Sequence, residues 1–388
     1  MRENVDVLHV VPAYFPLRGG IEVLIEDLCS GIHEKFGLTS GVMASTSTPN
    51  RPSSYVHRGV VVDTIEPMRV EQDDWQTPDI PHDRGIEEVS RVFSRVREIL
   101  DAFRPRLVHL HGSSNLTSPV LSVLRSRGTP FILHVHGTIF ENDRGAFRRN
   151  VRDATWVCAV SEAVAQSIRD DCSRTAPITV IRNGLPDPLP STIPFDPRSP
   201  SVAMIGRLSE EKGFDDGLRA LARVRDSVPN LTIRLAGNGP ELDSLRRLAG
   251  ELGLLDSIEF FGELAHERAL RVIAGCDITL VPSKRIEGFS LIAAEAALLE
   301  RPVVATNVGG LAETVLDGVT GILVSPASPI AVSEHIVHLL ADTNLRLSLG
   351  TAARTRALAM FGHERFIDEI AELYDRVLAG KTPVNAQS

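Results

Sequence analysis

Six prolines fall within the sixteen residues from Leu185 to Pro200, and the chain shows the same alternation on both sides of them. Proline removes a backbone donor and fixes φ, so neither a helix nor a central strand survives that density. Residues 186–200 therefore read as a stiff linker. Before it, short apolar runs at Val5–Val11, Thr39–Ala44, Gly59–Ile65, Leu107–Leu110, Phe131–Val135, Trp156–Val160 and Ile178–Ile181 alternate with helix-period stretches such as Ile21–Glu34 and Gly85–Phe103. After it the pattern restarts at Val202–Ile205, Leu231–Leu235, Ile258–Phe261, Ile278–Val281, Pro302–Ala305 and Ile322–Val324. Near-continuous apolar runs of this length suit parallel strands covered on both faces. The alternation with helices predicts doubly wound α/β sheets. Two Rossmann-like domains follow, 1–185 and 201–360, facing across a cleft. The amphipathic stretch 361–380 is expected to pack back on the first. Ligands in such sheets bind beyond the carboxyl ends of the strands.

The net charge of −9 over 388 residues argues against nucleic acid as the main partner. Arg144, Arg148, Arg149 and Arg152 recur on one helical face, which reads first as a solvated face and second as a peripheral contact with anionic lipid or a charged acceptor. The four cysteines form no C-x-x-C pair. They are expected as reduced thiols in a cytoplasmic protein without a zinc site. No apolar stretch reaches the length of a membrane span or a signal peptide.

Several loops carry candidate chemistry. In Ile205-Gly-Arg-Leu-Ser-Glu-Glu-Lys-Gly213, a buried strand ends and two cations, Arg207 and Lys212, follow beside a helix start. This is a cradle for a diphosphate, or else a surface loop whose charges pair with Glu210 and Glu211. In Val281 to Glu295, Glu287 precedes a helix and Glu295 lies within it. The amides of Gly288, Phe289 and Ser290 stand between them as donors for an anion. Glu295 sits among alanines, where an unpaired carboxylate is costly. A pair of ligand hydroxyls or a buried arginine would satisfy it. The turn Gly237-Asn-Gly239 invites a dinucleotide reading, but the third glycine of that fingerprint falls on Leu242. Gly19-Gly20 permits close backbone approach, or simply makes a tight turn. His109, His111, His134 and His136 place each H-x-H pair on one strand face. No cysteine or carboxylate completes a metal set, so His136 is expected to line the site and no metal is expected.

Taken in order, these pieces resemble the GT4-type family of retaining glycosyltransferases with the GT-B fold. The resemblance rests on Gly19-Gly20, His136-Gly137, Val160-Ser-Glu162, Ile181-Arg-Asn-Gly184, Gly206-Arg207 with Lys212-Gly213, Gly237-x-Gly239-Pro240 and the Glu287/Glu295 pair. It continues through Pro302-Val-Val-Ala, Gly309-Gly310, Glu313 and Asp317-Gly-Val-Thr-Gly321. It implies that Arg207 and Lys212 bind the diphosphate of a nucleotide-sugar. Glu287 would hold donor-sugar hydroxyls and Glu295 the ribose. Gly20 would serve phosphate or acceptor, and His136 would lie beside the reacting sugar. Gly237, Leu264, Gly288, Phe289, Ser290 and Leu291 complete the expected donor set, with base contacts near Gly262 to Leu264. The resemblance implies transfer with retention, no cofactor and no catalytic metal, a UDP-sugar favoured over GDP-mannose, and an unidentified hydroxyl acceptor. Two departures stand out: Glu300 occupies a usual glycine, and Ser290 another. A UDP-sugar 2-epimerase, which shares the twin-domain architecture but uses no acceptor, is one alternative; a non-catalytic sugar-binding protein is another, against which Arg207, Lys212, Glu287 and Glu295 together argue. The polar stretch Pro67 to Gly85, with Glu71, Asp73, Asp74 and Trp75, reads either as an acceptor contact or as a solvated loop.

Overall fold

The structure, a computed structural model, describes residues 4–15, 20–45, 53–66, 82–112, 116–137, 144–172, 177–188, 199–285 and 287–381, the side chains of 82–86 and 88 excepted. The acidic stretch with Glu71, Asp73, Asp74 and Trp75, residue Gly19 and most of the proline-rich segment lie outside the described residues. The chain divides into two compact units. The first comprises Met1–Val160, Val164–Ile181 and Ile367–Ser388, and the second Ser161–Ala163 and Arg182–Phe366.

The first unit is built on an eight-stranded sheet. Its strands are β1 (Val7–Val11), β2 (Ser40–Ser45), β3 (Ser54–His57), β4 (Val60–Ile65), β5 (Leu107–His111), β6 (Phe131–Val135), β7 (Trp156–Ala159) and β8 (Thr179–Val180). They lie in the order β3-β4-β2-β1-β5-β6-β7-β8. All pairings are parallel except that of β3 with β4. β1, β5, β6 and β7 are buried at every position. Their apolar runs are continuous because helices cover both faces.

The second unit has a wholly parallel sheet. It comprises β9 (Ser201–Ile205), β10 (Thr232–Ala236), β11 (Ile258–Gly262), β12 (Ile278–Val281), β13 (Val303–Thr306) and β14 (Gly321–Val324). The order is β11-β10-β9-β12-β13-β14. The winding reverses between β9 and β12, the switch point beyond whose carboxyl ends ligands of such sheets bind; the loops leaving those two strands meet there, the Lys284 amide donating to Glu211 O at 2.9 Å. A core of Val202, Met204, Leu218, Leu221, Ile233, Leu235, Ile278 and Leu280 fixes the sheet against its helices. The strand ends are therefore held rigidly while the loops beyond them carry polar groups.

Among the described residues, no helix is long and apolar enough to cross a membrane. None of the four cysteines forms a disulfide. Burial pushes the thiol of Cys276 up to about 11 and that of Cys29 up to about 12. On the helix Arg144–Asp153, Arg144 and Arg148 pair with Asp171 at 3.6 and 3.0 Å, and Arg152 with Asp153 at 3.4 Å. Much of that basic face is thus already neutralised.

Candidate active site

The crevice between β9 and β12 collects the second unit's candidate residues. Arg207 leaves β9 exposed, with no ion pair among the described residues. Ser209 to Gly213 then form a single 3-10 turn, Glu210–Lys212. Lys212 does not pair with Glu210 or Glu211. Its Nζ lies 2.5 Å from Glu287 Oε1, on the loop beyond β12. Glu287 is further fixed by Ser283 Oγ, which donates to Oε2 at 2.7 Å. An ammonium has three donors, so Lys212 keeps two for a ligand after binding Glu287. Burial pushes the Glu211 carboxyl up, but the Ser209 hydroxyl, a backbone amide and the charges of Arg207 and Lys212 outweigh it and hold it below the usual range.

Next comes the helix Leu291–Leu298. Ser290 caps it, its side chain accepting from the Ala293 amide at 3.3 Å. Phe289 turns its ring away to meet Phe361 edge-on at 5.1 Å between centroids. The amides of Gly288, Phe289 and Ser290, three buried residues, donate no hydrogen bond among the described residues. They stand at or just before the positive end of a helix. Gly310 holds the loop in place: its amide donates to Glu287 O at 2.7 Å, and a Cβ there would come within 2.0 Å of Gly288 O.

Glu295 lies inside this helix and is 6% exposed. His266, which opens the helix His266–Ala274 just after Leu264, sets its Nε2 2.8 Å from Glu295 Oε1. Glu295 Oε2 has no partner among the described residues. Sequence reasoning foresaw an arginine or a ligand as partner for this carboxylate. The fold supplies a histidine for one oxygen and leaves the other open. Gly237 follows β10, as expected: its amide donates to Gly262 O, and its φ of 140° with a Cβ only 1.8 Å from Gly206 O shows why no side chain fits. That glycine locks the loops after β9 and β10 together.

Gly20 and His136 belong to the first unit. Gly20 is the first residue of the helix Gly20–Phe36. His136 follows β6 and is one of five neighbouring histidines. The fifth, His9 on β1, was not among the sequence candidates. Burial holds His9 down at about 3 and His136 at about 4, and His109, His111 and His134 well below the ordinary imidazole value, so all five rings are neutral at physiological pH.

The switch-point crevice, with its cations, carboxylates and open amides on a parallel sheet, defines a nucleotide-sugar enzyme of the GT-B fold. Solved structures share that fold. Sucrose-phosphate synthase from Thermosynechococcus elongatus superposes with a TM-score of 0.82 over 98% of this chain and 100% of its own, at 20% identity. Anabaena HepE in complex with UDP-glucose gives 0.77 over 96% and 100%, also at 20% identity. Residues 18–187 match Glycosyltransferase Family 4, and residues 190–356 match Glycosyl transferases group 1. A glycogen synthase of Mycobacterium tuberculosis is 30% identical over 293 residues, covering 70% of this chain and 69% of that protein. A GDP-mannose-dependent alpha-(1-6)-phosphatidylinositol monomannoside mannosyltransferase of Mycolicibacterium smegmatis is 34% identical over 165 residues, 41% of this chain and 43% of that protein. The chain belongs to the GT4-type glycosyltransferase family: it is a hexosyltransferase that uses a nucleotide-sugar donor. That membership sets aside the epimerase and the non-catalytic readings.

Proposed function

We propose that the protein transfers a hexosyl unit from a UDP-sugar to a hydroxyl of a small-molecule, glycan or lipid-linked acceptor, with retention of anomeric configuration and no metal at the diphosphate. The observation that carries the reading is the set of three amides, at Gly288, Phe289 and Ser290, that donate no hydrogen bond among the described residues, on the loop that also holds Glu287 against Lys212. Three donors and the cations Lys212 and Arg207 offer the charge complement that a metal would otherwise bring to a departing diphosphate. Glu287 then receives hydroxyls of the sugar, and the open oxygen of Glu295 those of the ribose, with Leu264 and Leu291 beside them. His136 is assigned to the reacting sugar and Gly20 to phosphate or acceptor. In a same-face displacement, the departing phosphate oxygen takes the acceptor proton, so the two glutamates act as hydroxyl clamps rather than as a glycosidase acid and base. HepE is solved with UDP-glucose, which supports uridine over guanosine; the mannosyltransferase relative keeps GDP-mannose as the competing donor.

The test pairs donor screening with one substitution. UDP-sugars are expected to raise Tm more than GDP-, dTDP- or ADP-sugars, since ligand at 100 times its Kd stabilises by about 2.7 kcal/mol. Arg207→Ala, at an exposed position without ion pairs, is expected to keep its fold and lose transfer by at least about 100-fold. Near-normal turnover of that variant overturns the diphosphate assignment. A product of inverted configuration overturns retention.

A further inference from the structure

Five imidazoles share one face of the first sheet. His9 lies directly opposite His109 in the β1–β5 register, and His111 opposite His134 in the β5–β6 register. Strand side chains alternate with period two, so His109 and His111 project together, as do His134 and His136. A buried sheet face beneath a helix ordinarily takes aliphatic side chains, because each polar ring sequestered there must find a partner or lose several kcal/mol on the order of a missing hydrogen bond. Here the rings face one another. His9 Nδ1 lies 3.0 Å from His111 Nε2, and His109 Nε2 lies 3.3 Å from His134 Nδ1. His9, His109 and His111 bring one nitrogen each to within 4.8 Å of the others, and all three are buried.

We propose that this face is a metal site, in which His9 Nδ1, His109 Nε2 and His111 Nε2 bind a late first-row divalent ion such as Zn2+. The spacing fits the chemistry. Two nitrogens on a tetrahedral zinc with bonds of about 2.0–2.1 Å stand about 3.3 Å apart, close to the 3.0 Å between His9 Nδ1 and His111 Nε2. Imidazole donors suit zinc, copper, nickel and iron. The outer nitrogens of His109 and His111 fit as well, while His9 Nε2 has no partner among the described residues. Histidine ligands usually pass their second N–H to a neighbouring acceptor that fixes the ring. His109 Nδ1 is 2.7 Å from the Tyr374 hydroxyl, and His111 Nδ1 is 3.1 Å from His136 Nε2. Tyr374 lies on the helix His363–Leu378, in its part belonging to the same unit. The ion would tie two strands and that helix together. It would also fix the His111 tautomer with its proton toward His136. The site is separate from the proposed diphosphate crevice, which is carried by other residues on the second unit.

The experiment uses the full-length, untagged protein, purified without chelator from zinc-supplemented cells. Elemental analysis after dialysis is expected to find one zinc per chain, and strong chelation to lower Tm. Co2+ added to the stripped protein is expected to give the intense visible bands of a tetrahedral site, and Zn2+ to abolish them. His111→Gln and His9→Gln are expected to lose the bound metal. Should these variants fail to fold, the Co2+ spectrum of the unaltered chain decides alone. A wild-type protein that retains no zinc and gives neither the Co2+ spectrum nor a Zn2+-dependent rise in Tm overturns the proposal. So do folded variants that keep the metal.

Discussion

Replacing Glu295 by Gln separates what its carboxylate does for the fold from what it does for the ligand. In the fold, one oxygen meets His266 Nε2 at 2.8 Å and the other is buried without a partner among the described residues. An unsatisfied buried polar atom costs about 1–3 kcal/mol, more when charged. The neutral amide is isosteric and keeps an oxygen for His266. The unliganded variant is therefore expected to match or exceed the wild type in stability, by up to about 2 kcal/mol, which is about 2–4 °C in Tm for each kcal/mol in a unit of this size. For the nucleotide the sign reverses. Hydrogen bonds to a charged acceptor contribute about 1.5–3 kcal/mol, or about 10- to 150-fold in Kd. With UDP at 100 times the wild-type Kd, the wild type gains about 2.7 kcal/mol, whereas a variant weakened about 30-fold gains about 0.9 kcal/mol. Thermal melts with and without UDP, together with donor KM, measure both halves. A variant whose UDP-induced shift and donor KM equal those of the wild type refutes the ribose assignment. A variant whose unliganded Tm falls by several degrees refutes the argument about the open oxygen.

Three further outcomes follow from local geometry. Gly310→Ala puts a methyl 2.0 Å from the Gly288 carbonyl, so the Glu287–Gly288 loop must shift; transfer is expected to fall by at least about tenfold, with a loss of about 2 kcal/mol in stability, read by donor kinetics and urea melts. Glu300→Gly relieves a non-glycine residue held at φ 57°. The left-handed penalty of about 1–2 kcal/mol exceeds the entropy that glycine adds to the unfolded chain and the weak 3.7 Å contact with Arg354, so Tm is expected to rise slightly with activity unchanged. Lys212→Met leaves Glu287, 12% exposed, without its cation; kcat is expected to fall at least about 100-fold, and normal kcat in a steady-state assay would remove lysine from the diphosphate.

Much of the fold was legible because each signal is local. Strands such as Phe131–Val135 and Ile278–Val281 are apolar runs with turn residues at their ends, and the last helix follows from its period alone. The strand β3 was not foreseen. Ser54 to His57 pairs with β4 from the sheet edge, antiparallel and half exposed, so no buried apolar run announces it. In the site, the loop cations and the amides before the helix at Leu291 were readable as strand-end features. Their partners were not. His266 stands 29 positions before Glu295, and Lys212 stands 75 before Glu287; only the order β11-β10-β9-β12 brings those loops side by side.

The same limit explains His9. Four histidines announced themselves as two H-x-H pairs, since period two alone puts each pair on one face. A fifth, alone in an apolar strand, carries no such mark. It joins them only because β1 runs beside β5 in a register that sets His9 against His109; a shift of one residue would turn it to the opposite face. Period two along β5 and β6 yields two pairs without a complete ligand set, which is why no metal was expected. Adding the cross-strand register turns two pairs into a continuous patch, in which His9 Nδ1 lies 3.0 Å from His111 Nε2 and His109 Nε2 lies 3.3 Å from His134 Nδ1, while His109 Nδ1 meets Tyr374 and His111 Nδ1 meets His136. The step from pattern to site is therefore made by sheet order, which no single segment of the chain encodes.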